Sequence, residues 1–121
     1  MSHYVDGFVI PIQRKNLKAY KKMATWGCRV WMKNGALNYY ECVVDDLTKH
    51  GLGFKKMCKL KRGETVIFAF IIYRSKSHRN QVNSKVMKEM NKMKIPTKMP
   101  FDMKRFAMAG FKTIVNSKKR L

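Results

Sequence analysis

At 121 residues, with 45% hydrophobic and 12% aromatic content, the chain is long enough to bury one core without disulfides or metal and too apolar for a disordered linker, while two separate cores are excluded. The formal net charge is +20 and uneven: residues 1–48 carry 7 Lys/Arg against 4 Asp/Glu, whereas residues 49–121 carry 20 against 3, a bias that suits an anionic partner or, equally, a solvated lysine surface. Cys28, Cys42 and Cys58 are odd in number and widely spaced, which argues against a disulfide framework or a CxxC pair, and no apolar run approaches the roughly 18 residues of a membrane span. The start MSHYVDGF lacks the basic and apolar blocks of a signal peptide, so a cytoplasmic protein without membrane contact is expected.

Along the chain, HYVDGFVIPI alternates as a strand does, with Tyr4, Asp6, Phe8 and Ile10 on one face and Val5 and Val9 on the other. Leu17, Tyr20, Ala24, Cys28 and Trp31 then recur at helical spacing opposite Lys15, Lys18, Lys22, Arg29 and Lys33, and Asn34-Gly35 ends that helix. ALNYYECVVDDL reads as a second strand in which Leu37, Tyr39, Glu41 and Val43 share a face. Residues 48–64 hold six cations and three glycines without a sustained period, which predicts a long, mobile loop with at most a short turn.

ETVIFAFIIYR is nearly continuous in β-branched and aromatic residues, the pattern of a central strand buried on both faces. Ser75 or Ser77 caps a second helix whose stripe is Val82, Val86, Met90 and Met93, with Lys85, Lys88 and Lys92 elsewhere, closed by Pro96 and Pro100. A last strand runs from Lys104 to about Val115, in which Gly110 marks a bulge or a close backbone approach. The order β-α-β-β-α-β is the ferredoxin-like arrangement, an α+β fold with both helices on one face of a four-stranded antiparallel sheet. The other face would be apolar and bare, so a homodimer packed through its sheet faces is expected.

Five stretches, YVDGFVIPI, NLKAYKKMA, GALNYYECVVDDL, HRNQVNSKVM and KMPFDMKRFAMAGF, resemble the YbaA-like bacterial family, domain of unknown function 1428, over nearly the whole chain in order. The resemblance implies a protomer of the dimeric α/β-barrel superfamily. Relatives there include cofactor-free monooxygenases, lactone isomerases, haem-handling enzymes and ligand-binding proteins, so fold leaves the chemistry open. The high lysine content and the basic 49–62 loop depart from the family pattern.

The resemblance implies a pocket between sheet and helices, and the family-like stretches would put Asp6, Glu41, Asp45, Asp46, His78, Arg79, Asn83, Asp102 and Arg105 near it. A carboxylate among aromatics can serve as a general base, which makes Asp6 and Glu41 catalytic candidates together with His78, Asp102 and Arg105. Tyr39, Tyr73, Arg79 and Asn83 are candidate ligand contacts. The plainer reading, a buried carboxylate paired with Arg79 or Arg105 to hold the fold, is preferred for each residue taken singly, and Arg105 is expected to reach Glu41. Asp45-Asp46 reads as a turn, and Asp102 as a turn residue leading into the last strand.

No metal is expected, because His3, His50 and His78 are far apart in sequence, and no cofactor, because P-loop, GxGxxG and GxSxG patterns are missing. Lys55, Lys56, Lys59, Lys61 and Arg62 offer non-specific phosphate contact to nucleic acid, although ETVIFAFIIYR does not match the RNA-binding strand of an RRM. A homodimer that binds a small molecule is therefore the leading expectation. A cofactor-free monooxygenase- or isomerase-like enzyme and an RNA-binding basic face are the alternatives.

Overall fold

The two longest strands, β1 (Tyr4–Gln13) and β3 (Glu64–Tyr73), are rich in Val, Ile and Phe, and they pair antiparallel from Tyr4 opposite Tyr73 to Gln13 opposite Glu64. In the computed structural model, which describes residues 3–93 and 98–117, they form the middle of a four-stranded antiparallel sheet whose outer strands are β2 (Asn38–Val43) beside β3 and β4 (Ala107–Lys112) beside β1, giving the order β2-β3-β1-β4. A 3-10 turn at Arg14–Asn16 leads into helix α1 (Leu17–Lys33), a single turn of helix α2 covers Phe54–Met57, and α3 spans Lys76–Asn91. No helix among the described residues is long and apolar enough to cross a membrane.

Local chemistry fixes the helix ends. Gly35 takes φ 112° just past α1, a conformation that glycine adopts without a Cβ penalty, while the Asn34 amide donates back to the Val30 carbonyl at 2.8 Å. At α3 the Ser75 hydroxyl accepts from the His78 N–H at 3.1 Å, the expected N-cap, which satisfies one of the orphan donors of the first turn.

Strand alternation divides the sheet into two unlike faces. Ile10, Ile12, Ile67 and Ala69 pack against Tyr20 and Ala24 of α1, and Ile71 and Tyr73 pack with Val30 of α1 and Val82 and Val86 of α3. Both helices thus lie on one face. Neither α1 nor α3 covers the opposite face, where Phe68 is 47%, Tyr40 49% and Phe111 55% exposed.

Several expectations are corrected by this arrangement. Strand β3 is central and buried along its helix side, whereas on its other side burial is confined to its start, where Val66 is 1% exposed opposite buried Pro11, and Phe68 farther along is exposed. The inward line of α1 keeps Tyr20 and Ala24 of the expected stripe but continues through Gly27 and Val30 in place of Cys28, while Leu17 and Trp31 pack partly buried against the core. Strand β4 stops at Lys112, leaving Ile114 and Val115 exposed beyond it. Met93 lies past the end of α3 and is exposed. Pro96 falls outside the described residues. The 48–64 segment is not an untethered loop: it holds α2, buries Cys58, and closes with the Leu60 N–H donating to the Lys55 carbonyl at 3.0 Å.

Gly110 provides the close approach rather than a bulge, since the β1–β4 register is unbroken from Tyr4 opposite Lys112 to Val9 opposite Ala107. A Cβ at Gly110 would fall on the Tyr4 hydroxyl and within 2.9 Å of its ring. That ring has little room to move, because the Arg79 guanidinium sits 4.9 Å from its centroid. Gly110→Ala is therefore expected to cost about 1–3 kcal/mol, read as a lowered Tm, and Tyr4→Ala in the same chain should lift the clash; an unchanged Tm for Gly110→Ala would contradict this packing.

Candidate functional site

Because Tyr39 and Glu41 are two residues apart on β2, both point to the helix side. Tyr20 descends from the inward line of α1 to meet them. Its hydroxyl donates to Glu41 Oε1 at 2.6 Å, and the Tyr39 hydroxyl donates to Oε2 at 2.7 Å, so each carboxylate oxygen is held by one phenol. Burial first, and the adjoining Glu41 carboxylate second, push both phenols well above the ordinary tyrosine range, which keeps them protonated as donors. Gly27 makes the fit possible: a Cβ there would lie 3.2 Å from the Tyr39 hydroxyl.

This carboxylate forms one wall of an otherwise apolar cavity of about 270 Å3, lined from the sheet by Phe8, Ile10 and Ile71 and from α1 by Met23, Trp26 and Trp31. Phe101 closes another side, stacked on Phe106 with centroids 5.5 Å apart and set edge-on to Tyr20 at 6.0 Å. Among the described residues, Glu41 takes part in no ion pair. An acceptor of this kind in apolar surroundings can bind a donor group on a ligand or take a proton from it.

Two further carboxylates, Asp6 and Glu64, are buried, and each is paired with an arginine. Asp6, 1% exposed, accepts from Arg79 at 2.8 Å and from the Asn83 amide at 3.4 Å. Asn83 Oδ1 in turn accepts from the Tyr73 hydroxyl and from Trp31 Nε1, both at 3.1 Å. Four sequence candidates, Asp6, Tyr73, Arg79 and Asn83, thus form one satisfied network joining β1, β3, α1 and α3. This is the plainer structural pairing, with Arg79 as the partner.

Arg105 does not reach Glu41, contrary to expectation. It makes a two-pronged pair with Glu64 at the start of β3, Nη1 to Oε1 at 2.7 Å and Nη2 to Oε2 at 2.5 Å, and a third contact to Asp102 at 3.0 Å. Asp102 also accepts from the Lys104 N–H at 2.9 Å, the local bond that turns the chain toward β4. Arg105 further donates to the Lys59 carbonyl at 3.2 Å, tying the basic segment to the β4 lead-in. The guanidinium, ahead of the Lys61 N–H bond, lowers the Glu64 pKa to about 2.

The remaining candidates stand apart. His78 is buried, its Nδ1 accepts from the Arg74 N–H at 2.9 Å, and burial, then the Arg74 charge, lower its pKa. Asp45 is exposed, and Asp46 accepts from the Thr48 N–H at 2.9 Å as a turn residue does. Lys55, Lys56, Lys59, Lys61 and Arg62 are all exposed around α2. No group of three or more His, Cys, Asp or Glu among the described residues is placed to hold a metal.

Sequence reasoning missed Tyr20 and Glu64 as partners and Trp26, Phe101 and Phe106 as walls. One signal was present: a tyrosine in the middle of a buried helical line needs an acceptor for its hydroxyl, and Glu41 was already expected to point among aromatics. Glu64 gave no such signal, since strand alternation says nothing of a residue at the strand's first position.

An α+β chain with an open antiparallel sheet, one covered face and a carboxylate-bearing cavity is the class of protein these features define. The chain belongs to the family described as "Protein of unknown function (DUF1428)", which it matches over residues 3–103. It is 33% identical over 114 residues to "Uncharacterized protein YbaA" of Escherichia coli (strain K12), covering 93% of this chain and 97% of that protein. The same identity and coverage hold for the YbaA protein of Shigella flexneri. Among solved structures, "De novo designed protein Foldit4" aligns with a TM-score of 0.42 and 11% identity over 94% of this chain and 99% of that one.

The Glu64 shift has a definite sign. A carboxylate whose pKa falls from 4.5 to about 2 on folding contributes stability that is complete above pH 4.5 and lost as pH falls toward 2. Glu64→Gln is expected to lower Tm at neutral pH, with its deficit against the wild type narrowing over that window. A deficit that stays constant down to pH 2 would contradict the assigned pair.

Proposed function

We propose that the protein binds a small, largely apolar molecule in the cavity between the sheet and α1, with Glu41 accepting a hydrogen bond from a hydroxyl or N–H of that molecule. The observation that carries this reading is the contrast among the carboxylates: Asp6 and Glu64 each meet an arginine, whereas Glu41 meets two phenols and, among the described residues, no cation, and it borders the cavity. Each carboxylate oxygen holds more than one lone pair, so a ligand donor can be accepted beside the tyrosines. The same setting suits proton abstraction by Glu41, which makes a cofactor-free enzyme the second reading.

The protomer fits the ferredoxin-like arrangement, and two protomers are proposed to pack through their bare sheet faces into an α/β barrel. Exposed Tyr40, Phe68 and Phe111 on that face support the association, since burying apolar surface of this kind is favourable by about 25 cal/mol per Å2. Phe68→Glu is expected to turn a dimer into a monomer in sedimentation equilibrium with unchanged circular dichroism. A wild type that sediments as a monomer would contradict the proposal.

Trp26 and Trp31 are the two tryptophans of the chain and both line the cavity, so intrinsic fluorescence reads occupancy directly. Titration with para-propylphenol, which joins a hydroxyl donor to an apolar body, is expected to give a saturable change in emission. Glu41→Gln should weaken that binding about tenfold, the scale of a hydrogen bond to a charged acceptor. Equal affinity in the two proteins would remove Glu41 from the site.

A further inference from the structure

The cavity beside Glu41 is not isolated. Met23, Trp26, Met99 and Phe101 line it and also line a second, larger depression of about 940 Å3 on the outside of α1. The two spaces therefore share a wall. They differ sharply in chemistry. Around the inner space Glu41 is the one charged side chain among the described residues, whereas Lys15, Lys22 and Lys61 line the outer groove.

Two neighbouring elements supply the lysines. Residues 19, 22, 23 and 26 follow three- and four-residue spacing on α1, so Lys22 stands on the same side as Ala19, Met23 and Trp26, and Lys15 joins it from the 3-10 turn that leads into the helix, which sets cations above an apolar floor. The acidic residues of the groove do not neutralise them. Glu64 and Asp102 are both engaged by Arg105, and neither Lys15 nor Lys22 forms an ion pair among the described residues. An apolar floor with cations on its rim complements a molecule with an apolar body and an anionic end.

Resting on the binding role given above to the inner cavity, we infer that the ligand is an amphipathic anion: its anionic head lies by Lys15 and Lys22, its apolar body runs between Trp26 and Phe101, and a donor at its far end meets Glu41. A polyanion such as nucleic acid has the charge but no apolar body to fill the inner space. A purely apolar ligand would leave the lysine rim unused. The orientation is fixed by charge, since an anionic group at the inner end would face the Glu41 carboxylate.

The test uses para-hydroxyphenyl alkanoates of increasing chain length, each compared with the matching primary alcohol, and follows tryptophan emission of the full chain. For the chain length that spans both spaces, the acid is expected to bind about tenfold more tightly than the alcohol, a difference of about 1.4 kcal/mol. That advantage should shrink as salt screens the groove and vanish in the Lys15→Gln/Lys22→Gln protein, whose exposed substitutions leave the core untouched. Acid and alcohol binding equally would overturn the anionic head while leaving the inner cavity's role intact, and an acid preference that persists in the double variant would overturn the placement of that head by Lys15 and Lys22. Saturation by neither series would overturn both readings together.

Discussion

The ten-residue antiparallel pairing of β1 with β3 decides which side chains meet the helices and which face away. With Tyr4 set opposite Tyr73, Asp6 opposite Ile71 and Ile10 opposite Ile67, all of these fall on the covered face, and β2 follows by placing Tyr39 opposite Ile71 and Glu41 opposite Ala69. A slip of one residue would send the whole set to the bare face. The register therefore brings Glu41 beneath Tyr20, Asp6 beneath Arg79 and Gly110 against Tyr4 in one step, and no part of the site is independent of it.

Within that frame Asp6, Glu64 and Glu41 are held in two ways. Asp6 and Glu64 lie in arginine pairs with further hydrogen bonds, the condition under which a buried charge is tolerated. Both pairs also join distant parts of the chain: Arg79 links α3 to β1, and Arg105 links the β4 lead-in to β3 and to the Lys59 carbonyl. Glu41 is treated differently. Two phenols orient it, and the space beside it is apolar. Its oxygens keep lone pairs for a further donor, which is the part proposed for it in binding a ligand.

Much of this was legible in the sequence because it depends on periodicity. Alternation in HYVDGFVIPI and ALNYYECVVDDL placed Asp6 and Glu41 on the faces they occupy, Ser75 was named as a possible cap, and Gly110 was marked for close approach. What periodicity does not encode is which of several neighbours a long side chain selects. Arg105 chose Glu64 over Glu41 because Glu64 begins β3 beside the Asp102 turn, a proximity set by strand order rather than by local pattern. The continuous apolar run of β3 was misread for a similar reason, since Phe68 and Phe70 look the same in sequence whether a helix, a second protomer or solvent covers them. The basic segment concealed α2 because one turn of helix is too short to establish a period.

The central claim is that Glu41 and its two phenols form the polar end of a ligand site, and a crystal structure of the protein grown with a para-alkylphenol tests it most directly. The account predicts the alkyl group between Trp26 and Phe101 and the phenol oxygen within hydrogen-bond distance of Glu41. A cavity filled by its own side chains, with Glu41 turned to an arginine or to solvent, would contradict it.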